Sequence, residues 1–299
     1  MTTATADSAL RARQDKGRQA AQNREKWAQT RTYISAAVIL IWCLAPAYWM
    51  VVTAFREVGF TYDTTPWPTH VTLDNFITAF DTSFGNKFGQ ALLNSVFIGV
   101  TVTVISLVIG VFAAYALARL NFRFKYLVLG FILGASMFPG VALITPLFQL
   151  FTNIGWMGTY QALIIPNISF VLPLTVYTLT SFFREMPWEL EESARVDGCT
   201  QGQAFRKVIM PLAAPAIFTT AILAFISSWN EFLIASQLSN DKTQPVTVAI
   251  AQFTGSQPQV EPYTAVMAAG TVVTIPLIIM VLLFQRKIVD GLTAGGVKG

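Results

Sequence analysis

The chain has 299 residues, of which 54% are apolar and 12% charged, with a mean hydropathy of +0.53. A soluble domain carries about 25% charged residues, so this composition excludes a soluble globular enzyme and a disordered chain and points to several membrane spans. The net charge of +4 is read as basic loops facing the cytoplasm, and no nucleic-acid partner is expected.

Residues 1–32 are polar and carry seven Lys or Arg, which predicts a cytoplasmic basic tail. The first apolar run is Tyr33–Phe55. Ala45-Pro46-Ala47 mimics a signal-peptide cleavage site, but the run continues through Trp49 to Phe55, so a retained first helix is expected. An outer loop over 56–89 follows, with Pro66-Trp67-Pro68 and four acidic residues. Further apolar segments run over Gln90–Ala118, Tyr126–Phe151, Gln161–Phe183, Leu212–Gln237 and Tyr263–Phe284. Each is long enough to cross a hydrocarbon core of about 30 Å, which takes roughly 20 helical residues. Backbone groups in lipid must be satisfied within the segment, so the spans are helices and the fold class is an all-α, polytopic membrane protein with six transmembrane helices.

Seventeen of the 20 Lys and Arg fall in the N-terminal tail, the loops at 119–125 and 184–211, and the tail 285–299. Arg56, Lys87 and Lys242 are the exceptions. This asymmetry places both termini in the cytoplasm of a multi-pass cell-membrane protein. A second long outer loop spans 238–262, and long loops often bind a partner. Cys43 lies in an apolar run and Cys199 in a charged loop, so no disulfide is expected. His70 is the one histidine, which leaves no metal site and no Ser-His-Asp catalytic site.

Glu231 is read as the one acidic residue well inside a span, a functional candidate because charge at membrane depth is costly. Asn94 and Asn230 are the other candidates for a pore or substrate path, and Gln149 and Asn167 are further polar points. Each amide can equally serve as interhelical glue, worth on the order of 1 kcal/mol. Gly130 and Gly134 form a small-xxx-small pair suited to close helix contact. Pro139 and Pro146, Pro166 and Pro173, and Pro276 interrupt the third, fourth and sixth helices.

The cytoplasmic loop 184–211 is the most informative stretch. Pro187 suits the first position of a helix, Glu189, Glu191 and Glu192 complement its dipole, and Gly198 is a left-handed stop. Thr200 and Gln203 have capping-box spacing, and Pro211 opens the fifth membrane helix. The result is a compact helix–turn–helix. Alone, it suits either a groove in another protein or the lipid headgroups.

Glu192-Ser193-Ala194-x-x-x-Gly198, nine residues, then Val208-x-Met210-Pro211 resembles the EAA loop of ATP-binding-cassette (ABC) importer permeases. Ser193, Val208 and Met210 stand where that pattern has alanine, isoleucine and leucine. The string from Glu191 to Gly198 is similar to the carbohydrate-uptake branch, and the ending from Gly291 to Gly299 to MalG-type maltose permeases. Phe183–Trp188 and Phe253–Ser256 are most similar to actinobacterial trehalose- or maltose-type systems.

The resemblance covers residues 33–299 and implies a type I importer core over 90–284. It implies that Glu191, Glu192, Ser193, Ala194, Arg195, Asp197, Gly198 and Pro211 couple to a cytoplasmic ATPase, and that Gly295, Gly296 and Lys298 of the tail contact it. It further implies a second permease subunit, two ATP-binding subunits, an extracytoplasmic sugar-binding protein and a di- or oligosaccharide substrate. The chain has no G-x-x-x-x-G-K-[ST] phosphate loop, so it is not read as an enzyme. It would bind no cofactor, and ATP and Mg would sit in the partner ATPase. Competing classes are a permease for another polar solute such as glycerol phosphate, a secondary transporter leaning on Glu231, and a membrane-embedded enzyme, for which the necessary residue cluster is missing.

Overall fold

The computed structural model describes residues 3–83, 85–253 and 262–296, with side chains described within 24–284 of those ranges. The fold is all-α among the described residues, where the one β feature is an isolated bridge between Arg56 and Val71. The helices are α1 (Thr3–Ala54), α2 (Asp74–Phe80), α3 (Phe88–Arg119), α4 (Lys125–Ser136), α5 (Ile144–Asn153), α6 (Tyr160–Glu185), α7 (Glu189–Val196), α8 (Gln201–Ala204), α9 (Met210–Trp229), α10 (Leu233–Leu238), α11 (Val246–Ala251) and α12 (Tyr263–Gly296). Among the described residues, five helices are long and apolar enough to cross a membrane, and there are six if the pair bent at a short break counts as one span.

Three expectations need correction. The first helix does not begin at Tyr33 but upstream, at Thr3. The segment before Tyr33 is rich in Ala, Arg, Gln and Lys, strong helix formers that extend it. The third span is not one rod: α4 and the stretch Gly140–Asn153 meet at 85°. Pro139 stands at the break with extended backbone, and its ring forbids continuation, whereas Pro146 lies in the first turn of α5, where no N–H is missed. The fifth span ends at Trp229 rather than Gln237, and Leu233–Leu238 is a separate short helix.

At the start of that span, Pro211 is the second residue of α9, as the sequence suggests, and α8 runs through a π-helical stretch, Phe205–Ile209, directly into it. A proline cannot donate to the carbonyl four residues back, and a wider turn just before it absorbs the mismatch.

The core is built around α3, whose inner face packs on α6 and α9. Val111 and Ala114 of α3 join Leu179 and Phe183 of α6 with Ile209 and Ala213 near the start of α9. Val102 lies against Leu163 and Ala224 nearer the other end. Close approach occurs at Gly99, where an added Cβ would lie 2.9 Å from Phe225, and at Gly110, 2.6 Å from Thr175. The pair singled out from sequence, Gly130 and Gly134, has nothing within 4 Å. By contrast, no residue in the most apolar window of α1 is buried within the chain.

Candidate functional site: the helical elbow and the opposite straps

The loop 184–211 folds as an elbow. Glu189 opens α7, two residues later than Pro187 would suggest, with Glu189, Glu191 and Glu192 all in its first turn. Gly198 takes φ +89°; its N–H donates to the Arg195 carbonyl at 3.0 Å and the Cys199 N–H to Ala194 at 3.0 Å. That pair of bonds is a Schellman stop. Thr200 then caps α8: its hydroxyl accepts from the Gln203 N–H at 3.3 Å, while its own N–H donates to Gln203 Oε1 at 2.8 Å.

The helical period divides the predicted coupling residues into two faces. Glu191 and Ala194 are buried, at 5% and 7% exposure. Glu192, Ser193, Arg195, Asp197 and Gly198 are exposed, as is Pro211 further on. An open groove between α7 and α8 is lined by Glu192, Arg195, Val196, Cys199, Thr200 and Gln201. The buried face is gripped by α3. Tyr115 donates to Glu191 Oε1 at 2.8 Å, Arg119 Nη2 donates to the Met186 carbonyl at 2.8 Å, and the Arg119 guanidinium lies 4.5 Å from the Trp188 ring centroid. Sequence reasoning missed Tyr115 and counted Arg119 only as loop charge. The available signal was their four-residue spacing, which places both on one face of a helix. Of the tail residues, Gly295 and Gly296 end α12 and Lys298 lies outside the described residues.

The opposite end is tied down by straps. Asn94 is buried; its amide donates to the Lys242 and Gln244 carbonyls at 3.0 Å each and accepts from Tyr160 at 2.8 Å. It fastens the loop after α10 to α3. Ser95 accepts from the Val246 N–H at 2.8 Å, and Lys87 pairs with Asp241 at 3.1 Å. Asn230 is exposed and bonds back to Ile226 of its own helix at 2.8 Å. Glu231, read from sequence as lying inside a span, follows the end of α9. Its carboxylate accepts from the Ile234 and Ala235 N–H groups at 2.8 and 3.0 Å, capping α10. Asn167 joins α6 to α9 through Ser228 at 3.0 Å, a glue contact, and Gln149 is exposed on α5.

Arg56, one of the three cations outside the predicted cytoplasmic segments, is 1% exposed. Its guanidinium donates to the Asp63 and Thr65 carbonyls and lies 4.7 Å from the Trp49 ring centroid. Asn75 donates to the Ala54 and Arg56 carbonyls at 2.8 and 2.6 Å, closing the end of α1. The Thr65 hydroxyl and N–H hold the Asp63 carboxylate below its ordinary range. A carboxylate lowered in the folded state stabilises above its unfolded pKa and loses that effect as pH falls through its folded value. Replacing Arg56 by Met keeps the stem and removes the donors. Hydrogen bonds to charged groups are worth about 1.5–3 kcal/mol, so Arg56→Met should speed protease cleavage between Val58 and Val71 and leave membrane insertion intact. Limited proteolysis beside a membrane-fraction assay checks this.

A bundle of membrane helices with an exposed elbow at one end and strapped loops at the other has the form of a transport subunit. The family model for the inner membrane component of binding-protein-dependent transport systems matches residues 106–293. The chain belongs to that family and is a multi-pass membrane permease component. It is 46% identical over 275 residues to the trehalose transport system permease protein SugB of Mycobacterium tuberculosis (strain CDC 1551 / Oshkosh), spanning 91% of this chain and 99% of that one. It is 40% identical over 268 residues to the trehalose/maltose transport system permease protein MalG of Thermococcus litoralis, spanning 89% and 95%. Among solved structures, a chain of a bacterial ABC transporter involved in the import of the acidic polysaccharide alginate matches with a TM-score of 0.70 at 21% identity, over 85% of this chain and 94% of that one. That likeness is one of fold.

Proposed function

We propose that this chain is one of two permease subunits of an ATP-driven importer for a di- or oligosaccharide of the trehalose or maltose type, delivered by an extracytoplasmic binding protein. The observation that carries the reading is the elbow, a rigid, capped pair of helices with one face buried and the other free. The trehalose and maltose relatives, matched over nearly their whole length, support the sugar class over glycerol phosphate or a secondary transporter. ATP and Mg are held by the two partner ATPase subunits. The exposed side of α7 takes their motion, and α8 carries it into α9, with which it is continuous. The tail residues Gly295, Gly296 and Lys298 reach the same partner.

Reconstitution with the second permease, the ATPase and the binding protein tests the reading. Labelled trehalose or maltose should enter proteoliposomes in an ATP-dependent way; uptake of glycerol phosphate instead would overturn the substrate class. Orientation has its own test. A cysteine replacing Val196, 87% exposed, should react with an impermeant thiol reagent only from the cytoplasmic side, and one replacing Tyr62, 82% exposed, only from outside. The native Cys43 and Cys199 are replaced by serine first. Labelling of position 196 from outside would end the coupling reading.

A further inference from the structure

We propose that Tyr115 and Arg119 are positioning residues that clamp α7 to α3, so that a push on the exposed side of α7 turns α3 as well as α9. The inference rests on the importer reading above and concerns the face of the elbow that does not meet a partner.

The geometry supplies three grips from one helix. Tyr115 and Arg119 lie four residues apart at the end of α3. Tyr115 holds the Glu191 carboxylate at 2.8 Å, in the first turn of α7. Arg119 holds the Met186 carbonyl, in the connection between α6 and α7, and covers the ring of Trp188, the residue before α7. The Tyr115 ring is fixed in turn, 6.0 Å from Phe183 and 4.5 Å from Phe205 between ring centroids.

Two further observations assign these contacts a mechanical role. An eight-residue helix is too short to hold its shape alone in water. Apart from Ala194 and the half-buried Leu190, α7 has little apolar surface with which to pack. Leu190 packs against the cluster of Phe183, Met186 and Ile209, and the polar grips add the ties to α3. In addition, Glu191 Oε2, Arg119 Nε and Arg119 Nη1 are all buried without a hydrogen-bond partner. A buried polar atom left unsatisfied is costly, so the two bonds that Tyr115 and Arg119 do make carry the anchoring of Glu191 and of the chain before α7.

The test uses the whole assembled importer in proteoliposomes, comparing the unaltered chain with Tyr115→Phe, Glu191→Gln and Glu191→Ala. Tyr115→Phe keeps the ring contacts and removes the bond. The amount of ATPase subunit recovered with the permease reports assembly, and the sugar moved per ATP hydrolysed reports coupling. Tyr115→Phe should recover as much ATPase subunit as the unaltered chain and move several-fold less sugar per ATP. Glu191→Gln can still accept from Tyr115 and should restore most of that ratio relative to Glu191→Ala. A merely structural contact would lower recovery and leave the ratio alone. An unaltered ratio in Tyr115→Phe at full recovery overturns the clamp, as does Glu191→Gln failing as badly as Glu191→Ala. Absence of sugar-stimulated hydrolysis in the unaltered complex would instead overturn the importer reading.

Discussion

Gly198→Asp should insert normally in the membrane and abolish most sugar-stimulated ATP hydrolysis by the assembled complex. Gly198 sits at φ +89°, and a β-carbon there would meet nothing within 4 Å. The penalty is therefore one of backbone conformation, roughly 1 kcal/mol or more, with no clash to relieve. Small as that is, it falls on the one residue that closes α7 and aims α8. If the turn opens, both stop bonds from 198 and 199 are lost and the groove between the helices changes shape. Gly198→Val is the matched comparison, because a branched β-carbon tolerates the left-handed region worse than aspartate or asparagine does, and it should lose more activity than Gly198→Asn. Equal loss in the valine and asparagine variants would mean that the backbone turn is not what matters.

A still larger effect on stability is expected at Gly110. Here an alanine Cβ would lie 2.6 Å from Thr175 Cγ2 and 3.8 Å from Leu179 Cδ1, in the seam between α3 and α6. Thr175 is held by its hydroxyl, which donates to the Val171 carbonyl at 3.0 Å, so it cannot simply rotate away. Overpacking of this kind costs about 1–3 kcal/mol. Gly110→Ala should lower the melting temperature in detergent clearly, and adding Thr175→Ser, which deletes the offending methyl, should restore most of it. Gly130→Ala meets no neighbour within 4 Å and should be neutral or mildly stabilising, since alanine is favoured over glycine in a helix by up to about 1 kcal/mol.

That contrast shows where sequence reading reached its limit. A glycine pair at small-xxx-small spacing is a local pattern, and which face of a helix meets another helix is not local. The apolar runs, the Schellman stop at Gly198 and the Thr200–Gln203 box were legible because each depends on neighbours along the chain. Burial of Glu191 beside exposure of Glu192 was not, because it is decided by Tyr115 and Arg119, more than 70 residues earlier. The placement of Glu231 failed for a related reason. An apolar run from Leu212 to Gln237 looks continuous, but the chain breaks after Trp229, and the carboxylate satisfies the N–H groups that the break exposes. Arg56 looked like an exception to the charge rule until the carbonyls of Asp63 and Thr65 supplied its partners.

The 85° bend between α4 and the helical stretch that follows it has a consequence for what can lie beside it. α4 has 12 residues, about 18 Å at 1.5 Å per residue, and cannot cross a 30 Å hydrocarbon layer alone. Whether the stretch crosses or turns back, the bend lies at a depth where the ladder of main-chain bonds is interrupted. Hydrocarbon offers nothing to replace those bonds, and each group left bare there costs several kcal/mol. Met137 and Phe138, 83% and 53% exposed in the isolated chain, flank that interruption. Their surroundings in the membrane must then be protein or a file of water molecules. The knee in the chain thus marks a flank of this stretch from which lipid is excluded.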